Sequence, residues 1–312
     1  MSERAAPAPL LQSWAWGEVQ ERSGWSVERV QLSPGAMASV LIRKVGPTRE
    51  MYVPRGPVPA TIAALDGLVS WARNAGAARL VVEPEADASV GDLLAEQGFT
   101  RAAPIQPQHT RILKLLPPDE LLKTFRHGRR YNIRTGIKRG VVVEEGKDGA
   151  ELARQSAAVE RRESIHLPDR RYYELLLDVL PWCRTYTAYA PDTRDPLATV
   201  LVARHGGRAY SLFAGRSGRH PELMGNDLAW WTAISSAVDA GCQDFDLWGV
   251  PPPRAHPSHP WIGIGMFKSE FGGEEVAYPG AWERVLSSTG AALIAAERKT
   301  RAYIRGLKRN IP

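Results

Sequence analysis

Apolar residues return along the first third of the chain at two alternating spacings. Between residues 59 and 75, Ile62, Leu65, Leu68, Val69 and Ala72 fall at helical spacing, one face of an amphipathic helix. The run ARLVVEP that follows is short and β-branched, which predicts a buried strand. VGDLLAEQGF then reads as a second helix closed by Gly98, and HTRILKL as a further strand. Upstream, Trp14, Trp16 and Trp25 surround a short amphipathic helix, and ASVLIRK and MYVPRGPV are extended. Pro54, Gly56 and Pro57 end that second strand and hold Arg55 in a rigid bend, either for function or for a surface salt bridge. Alternation of this kind argues for an α/β layer domain.

The pattern repeats after Gly140. VVVEEG opens a second half in which GAELARQSAAVERRESIH and RRYYELLLDVL have helical spacing, while TYTAYAP and ATVLVARHGGRAYSLFAGRS read as strands. NDLAWWTAISSAVDAGC is a helix and DFDLWGV a strand, and WERVLSS precedes a terminal helix with a basic end. A helix closed by Gly before a short apolar strand occurs in both halves, as NAGAARLVV and DAGCQDFDLWGV, which suggests a duplicated fold. The boundaries that follow are a disordered leader at 1–10, a first domain at 11–140, a second at 141–288, and a helix at 289–312 that packs back on the first domain.

Two stretches break the alternation. Residues 262–280, IGIGMFKSEFGGEEVAYPG, hold several glycines and a single lysine with no period of their own, which predicts a loop presenting Lys268 at a turn. DELLKTFRHGRRYNIRTGIKRG, read as one helix, sets Lys123, His127, Arg130, Arg134 and Lys138 on one side and Leu121, Leu122, Phe125, Ile133 and Ile137 on the other. Its cationic side is either a solvated surface or a phosphate-binding one, for which Arg130 and Arg134 are the candidates.

Composition narrows the classes. The 312 residues are long enough for two domains, and 44% hydrophobic content without a membrane-length apolar run or a cationic, apolar leader predicts a soluble cytoplasmic protein. The formal charge of +6 matters less for its size than for its clustering. Cys183 and Cys242, the two cysteines, form no CxxC pair and read as buried structural thiols. His256 and His259 have HxxH spacing without an evident third ligand, so no metal is expected. No GxSxG elbow is present.

LQSWAWG, YVPRGPV, FRHGRRYNIRTGIKRGVVVEE, AYSLFAGRS with GNDLAWW, DFDLWGV and MFKSEFGG followed by YPG occur here in an order that resembles the Fem family (FemABX). These are aminoacyl-tRNA-dependent transferases that build peptidoglycan interpeptide bridges. The resemblance runs from about Leu11 to Leu286. It implies two tandem acetyltransferase-like (GNAT-type) α/β domains with a substrate groove between them. It also implies transfer of an amino acid from aminoacyl-tRNA to the stem-peptide amine of lipid II or UDP-MurNAc-pentapeptide, without a cofactor, by a monomer peripheral to the inner leaflet. Lys268 matches the lysine of the family's Phe-Lys motif, contacting the tRNA end or the developing oxyanion. Asp246 orients Lys268, serves as base, or is a structural turn acid. Phe267 stacks on an adenine or packs inward, and Tyr210 lines the groove or sits half-buried. Arg170, Arg171 and Tyr173 lie where the family contacts substrate phosphate. Gln20 departs from the family lysine after WxWGxx, and no helical-arm insertion is visible. The rival readings are an acetyl-coenzyme A-dependent acyltransferase, prompted by RNAGAA at 73–78, and a non-catalytic RNA-binding protein.

Overall fold

The computed structural model describes residues 8–163 and 167–309, and the chain divides into two compact units. The first comprises Ala8–Gln108 and the chain from Ala277 onward, the second His109–Val276.

In the first unit, helix α1 (Trp14–Arg22) leads into antiparallel strands β1 (Ser26–Ser33), β2 (Ala36–Val45) and β3 (Thr48–Arg55). Helix α2 (Ile62–Asn74) then carries the chain back so that β4 (Ala77–Pro84) pairs parallel to β3, as a parallel pair requires. Thr61 caps α2 through its hydroxyl, and its apolar stripe of Leu65, Leu68 and Val69 packs on Val40, Met51, Val53, Leu80 and Val82. Helix α3 (Val90–Glu96) and strand β5 (Thr100–Arg101) follow.

The second unit opens with β6 (His109–Lys114), α4 (Pro118–Thr124), α5 (His127–Lys138), β7 (Val142–Gly146), α6 (Gly149–Glu163) and α7 (Arg170–Val179). A meander of β8 (Cys183–Tyr189), β9 (Pro196–His205) and β10 (Arg208–Arg216) leads through α8 (Gly225–Asp239) to β11 (Asp244–Gly249), parallel to β10. Helix α9 (Ile262–Ser269) and β12 (Glu274–Ala277) complete it. Ala229, Trp230, Ala233 and Ile234 of α8 share its core with Val200, Phe245, Leu247, Phe271 and Ile133. The chain then returns to the first unit as β13 (Trp282–Val285) and α10 (Ser288–Arg309), whose Ile294 packs on Val45 and Ala78. The sheet orders are β1-β2-β3-β4-β13-β5 and β12-β6-β11-β10-β9-β8-β7. Among the described residues no helix is long and apolar enough to cross a membrane.

Several expectations are corrected. The stretch 109–140 belongs to the second unit rather than the first, because β6 pairs with β11 in the second sheet. Trp25 lies outside α1, and SVERVQL is an edge strand whose half-exposed residues mask its alternation. Of the leader, residues 1–7 lie outside the described residues, while Leu10 is fully buried. Cys183 is buried but Cys242 only partly so, and burial pushes the Cys183 thiol up to about 12.

Candidate active site

The second unit's parallel pair opens into a site. Tyr210 of β10 is in register with Asp246 of β11, and the β6–β11 register shifts between Asp246 and Gly249. Trp248 takes a φ of +63°, a left-handed conformation costly for a bulky side chain. That turn aims its N–H at Asp246, donating to Oδ1 at 2.7 Å, and the Thr110 hydroxyl of β6 donates to the same oxygen. Asp246 is 2% exposed. A buried carboxylate is tolerated there because donors on two strands hold it.

Residues 262–269, expected as loop, form helix α9. Gly265 serves close approach rather than turning: a Cβ on it would stand 2.5 Å from Pro251 Cδ. Gly272 and Gly273 do adopt positive φ, 80° and 73°, and turn the chain toward β12. The helix carries Lys268 inward, 4% exposed, where its Nζ donates to the Gly249 carbonyl at 2.8 Å. Burial brings the Lys268 ammonium down to about 7, with the Asp246 charge opposing. An amine in this state changes charge near neutrality and has hydrogen-bond donors to offer a developing anion.

The other candidates separate from this pair to differing degrees. Tyr210 is buried, its ring meeting Trp248 edge-on at 6.0 Å. Phe267 packs inward on Trp230 and Phe271 rather than standing out to stack. Tyr173 is a core residue whose hydroxyl donates to Ser156 at 3.2 Å, and burial pushes its phenol up to about 12. Arg170 is exposed and paired with Glu174 at 2.6 Å, and Arg171 is exposed. Arg55, in the first unit, has a φ of +54°, donates to the Pro107 carbonyl at 2.8 Å, lies over the Tyr278 ring at 4.2 Å and pairs with Glu85 at 3.9 Å, so the salt bridge it makes is a buried one rather than a surface one. His256 bonds Ser258 at 2.7 Å, and no group of three or more His, Cys, Asp or Glu that could hold a metal occurs among the described residues.

The basic stretch is two helices, broken at Phe125 and Arg126. Arg130 is drawn back onto the C-terminal carbonyls of α4, donating to Lys123 and Phe125 at 3.0 and 2.7 Å, while Arg134 is exposed. Ile137, expected on the docking face, is 57% exposed, and Arg129 is 3% exposed in its stead. Arg129 bonds Asp227 on α8 and donates to the Phe267 carbonyl at 3.1 Å and to Glu270 at 2.9 Å. Sequence reasoning missed it. The signal was the spacing Phe125, Arg129, Ile133, in which a cation interrupts an apolar stripe. Thr110 was missed as well, and nothing local in the sequence marks it.

The acetyltransferase (GNAT) domain family matches residues 121–254. A lipid II:glycine glycyltransferase of Staphylococcus aureus is 29% identical over 201 residues, covering 55% of this chain and 47% of the relative. The chain thus spans about half the length of the curated relatives it matches. The crystal structure of FemX superposes with a TM-score of 0.80 at 19% identity, over 92% of this chain and 95% of FemX. The C-terminal domain of a putative lysylphosphatidylglycerol synthetase from Agrobacterium fabrum superposes at 0.56 and 14% identity, over 91% of each chain. The fold is the two-domain α/β acetyltransferase-like one that FemX also has.

Proposed function

We propose that this protein acts as a member of the Fem family and moves an amino acid from aminoacyl-tRNA to the stem-peptide side-chain amine of a peptidoglycan precursor, lipid II or UDP-MurNAc-pentapeptide, in the cytoplasm. The observation that supports it most is the buried Lys268 ammonium, brought down to about 7 beside Asp246 at the end of the β10–β11 pair. The kinship to a lipid II:glycine glycyltransferase supports the acceptor class.

The chemistry suits that pair. The acceptor amine, once deprotonated, adds to the ester carbonyl of the charged tRNA, forming the C–N bond and placing negative charge on the carbonyl oxygen. Lys268 in its charged form donates a hydrogen bond to that oxyanion in a site poor in water, where such a bond is worth most. Collapse expels the terminal ribose hydroxyl, which takes up a proton, and no covalent enzyme intermediate is needed. Asp246 keeps part of the Lys268 population charged at neutral pH, and Thr110 with the Trp248 amide keeps Asp246 in place.

Transfer from acetyl-coenzyme A is the second reading, favoured by the GNAT match. A pyrophosphate cradle needs open amides at a helix start. RNAGAA instead closes α2 and enters β4. At the start of α8, the Asp227 carboxylate sits in the first turn, and a Cβ on Gly225 would stand 2.5 Å from Leu197. Both features disfavour a bound diphosphate. Single-turnover transfer of labelled amino acids from a pool of charged tRNAs to lipid II and to the nucleotide-linked precursor, with acetyl-coenzyme A as control donor, decides between them. Label arriving from tRNA on one precursor is the expected result, and turnover of acetyl-coenzyme A alone overturns the proposal.

A further inference from the structure

We propose that Arg129 is the positioning residue of the site: one buried guanidinium fixes the backbone and ring of Phe267, and through them the place of Lys268. This rests on the reading of Lys268 as the group that meets the reacting carbonyl. The last turn of a helix leaves carbonyls without backbone donors. In α9 the Phe271 N–H, which would serve the Phe267 carbonyl in a continuing helix, turns instead to Lys268 O at 3.2 Å. The Arg129 Nη2 takes the Phe267 carbonyl at 3.1 Å and also donates to Glu270 at 2.9 Å. Its guanidinium lies 4.0 Å from the centroid of the Phe267 ring and 4.7 Å from that of Phe271. Residues on both sides of Lys268 are therefore held by one side chain.

That side chain is itself fixed. Nη1 pairs with Asp227 on α8, and Asn132, one turn further along α5, donates to the same carboxylate oxygen at 3.0 Å. The Arg126 N–H, just before α5, donates to the Glu270 carbonyl at 2.9 Å. Asp227 and Glu270 together offset the buried cation, and the fork geometry of arginine serves several acceptors at once where an ammonium could not. A displacement of about 1 Å in a reacting group lowers turnover on the order of a hundredfold. Arg129 thus acts on the reaction without touching substrate.

Arg129→Lys keeps the charge and loses the fork. The folded variant, checked by circular dichroism, is expected to lose roughly thirtyfold in kcat with acceptor KM within about twofold of wild type. A second readout needs no substrate. Competitive acylation of the folded protein across pH, read by mass spectrometry at Lys268 against exposed Lys123, gives the Lys268 midpoint. Loosening α9 readmits water, so the midpoint is expected to rise toward the ordinary lysine value by at least about half a unit. Glu270→Gln, at a side chain 41% exposed, removes the charge of one partner without threatening the fold and is expected to move both readouts the same way, less far. Unchanged kcat and unchanged midpoint in folded Arg129→Lys overturn the proposal; should that variant not fold, unchanged readouts in Glu270→Gln overturn it. If wild type transfers nothing, the reading of function fails, while the labelling midpoint still decides whether Arg129 positions Lys268.

Discussion

Among the described residues each unit contains a parallel strand pair, β3–β4 and β10–β11, and the two pairs end alike and serve differently. In the first unit the β3–β4 pairing ends at Arg55 and Pro84, in the second the β10–β11 pairing ends at Tyr210 and Asp246, two residues before Trp248. Both ends hold a non-glycine residue at positive φ, Arg55 at 54° and Trp248 at 63°, and both bury a carboxylate. In the first unit Glu83 accepts from the Tyr52 hydroxyl and from the amides of Ile105 at 2.7 Å and Gln106 at 3.1 Å. Burial, with the Glu83 charge adding, drives the Tyr52 phenol well above its ordinary value, so that phenol keeps its proton near neutrality. In the second unit the carboxylate faces a buried lysine that changes charge in that range. A duplicated scaffold thus supplies two sheltered strand ends, and the partner of the acid decides whether that shelter holds a loop or tunes a proton.

The sharpest way to break the contrast is Lys268→Met, which keeps volume and removes charge. If the second strand end is the reactive one, transfer falls on the order of a thousandfold, read by single-turnover assay. The fold should not suffer. Between about pH 7 and the unfolded lysine value near 10.4, the unfolded chain holds a proton that the native chain lacks, so wild-type stability rises with pH across that window at up to roughly 1.4 kcal/mol per unit. Below 7 the full penalty applies. The variant should therefore melt above wild type at pH 7 and lose most of that advantage by pH 9.5. A variant that melts below wild type at pH 7 would mean that the bond to Gly249 outweighs the burial of the charge.

Asp246→Asn asks whether the charge of the acid matters or only its shape, since an amide oxygen still accepts from Thr110 and Trp248. For an oxyanion donor acting with an acceptor amine of ordinary lysine pKa, log kcat/KM should rise with unit slope below the Lys268 value and flatten above it, as the free amine gained offsets the ammonium lost. Asp246 favours the charged lysine, so the variant's break should move to lower pH and its activity at pH 7.5 fall roughly tenfold to a hundredfold. A slope that stays steep above the break would make neutral Lys268 the active form.

The matching change in the first unit is Glu83→Ala. It leaves two amides and a hydroxyl without their buried acceptor, at a cost of about 3 kcal/mol, or roughly 5–10 °C in thermal midpoint. Turnover per folded molecule and the position of the pH break should not move. If either does, the two strand ends are not separable as structural and reactive.

Much of this was legible in sequence because burial writes a local period. The α2 stripe, the Gly-closed helices before β4 and β11, and the DFDLWGV and MFKSEFGG runs that hold Asp246 and Lys268 all stand in short windows. Legibility failed where a residue's role was set by partners distant in sequence. Arg129 was passed over for Arg130 and Arg134 because an arginine next to an arginine shows no sign of the carboxylate 98 residues away that buries it. The helix at 262–269 was read as loop because Gly263 and Gly265 carry low helix propensity, which contact with Pro251 overrides. Thr110 matters only through the β6–β11 pairing, a long-range register that no window contains.

The smallest effect concerns the cations that sequence did select. Arg134 is exposed on α5, whereas Arg130, four residues earlier, is spent on the carbonyls that end α4. If α5 attracts the phosphates of a charged tRNA, Arg134→Gln should raise donor KM a few-fold at low salt and lower the slope of log KM against log salt by about 0.7–0.9, one phosphate contact. Arg130→Gln should do neither, and lose roughly 1 kcal/mol of stability instead, because a helix end without its cap is the only thing it changes. The two arginines are equivalent in composition and in charge, so any difference in salt slope between the variants reports where each side chain goes. Equal slopes from both would mean that the cationic face of α5 is merely solvated, and would move the donor contact to another surface of the chain.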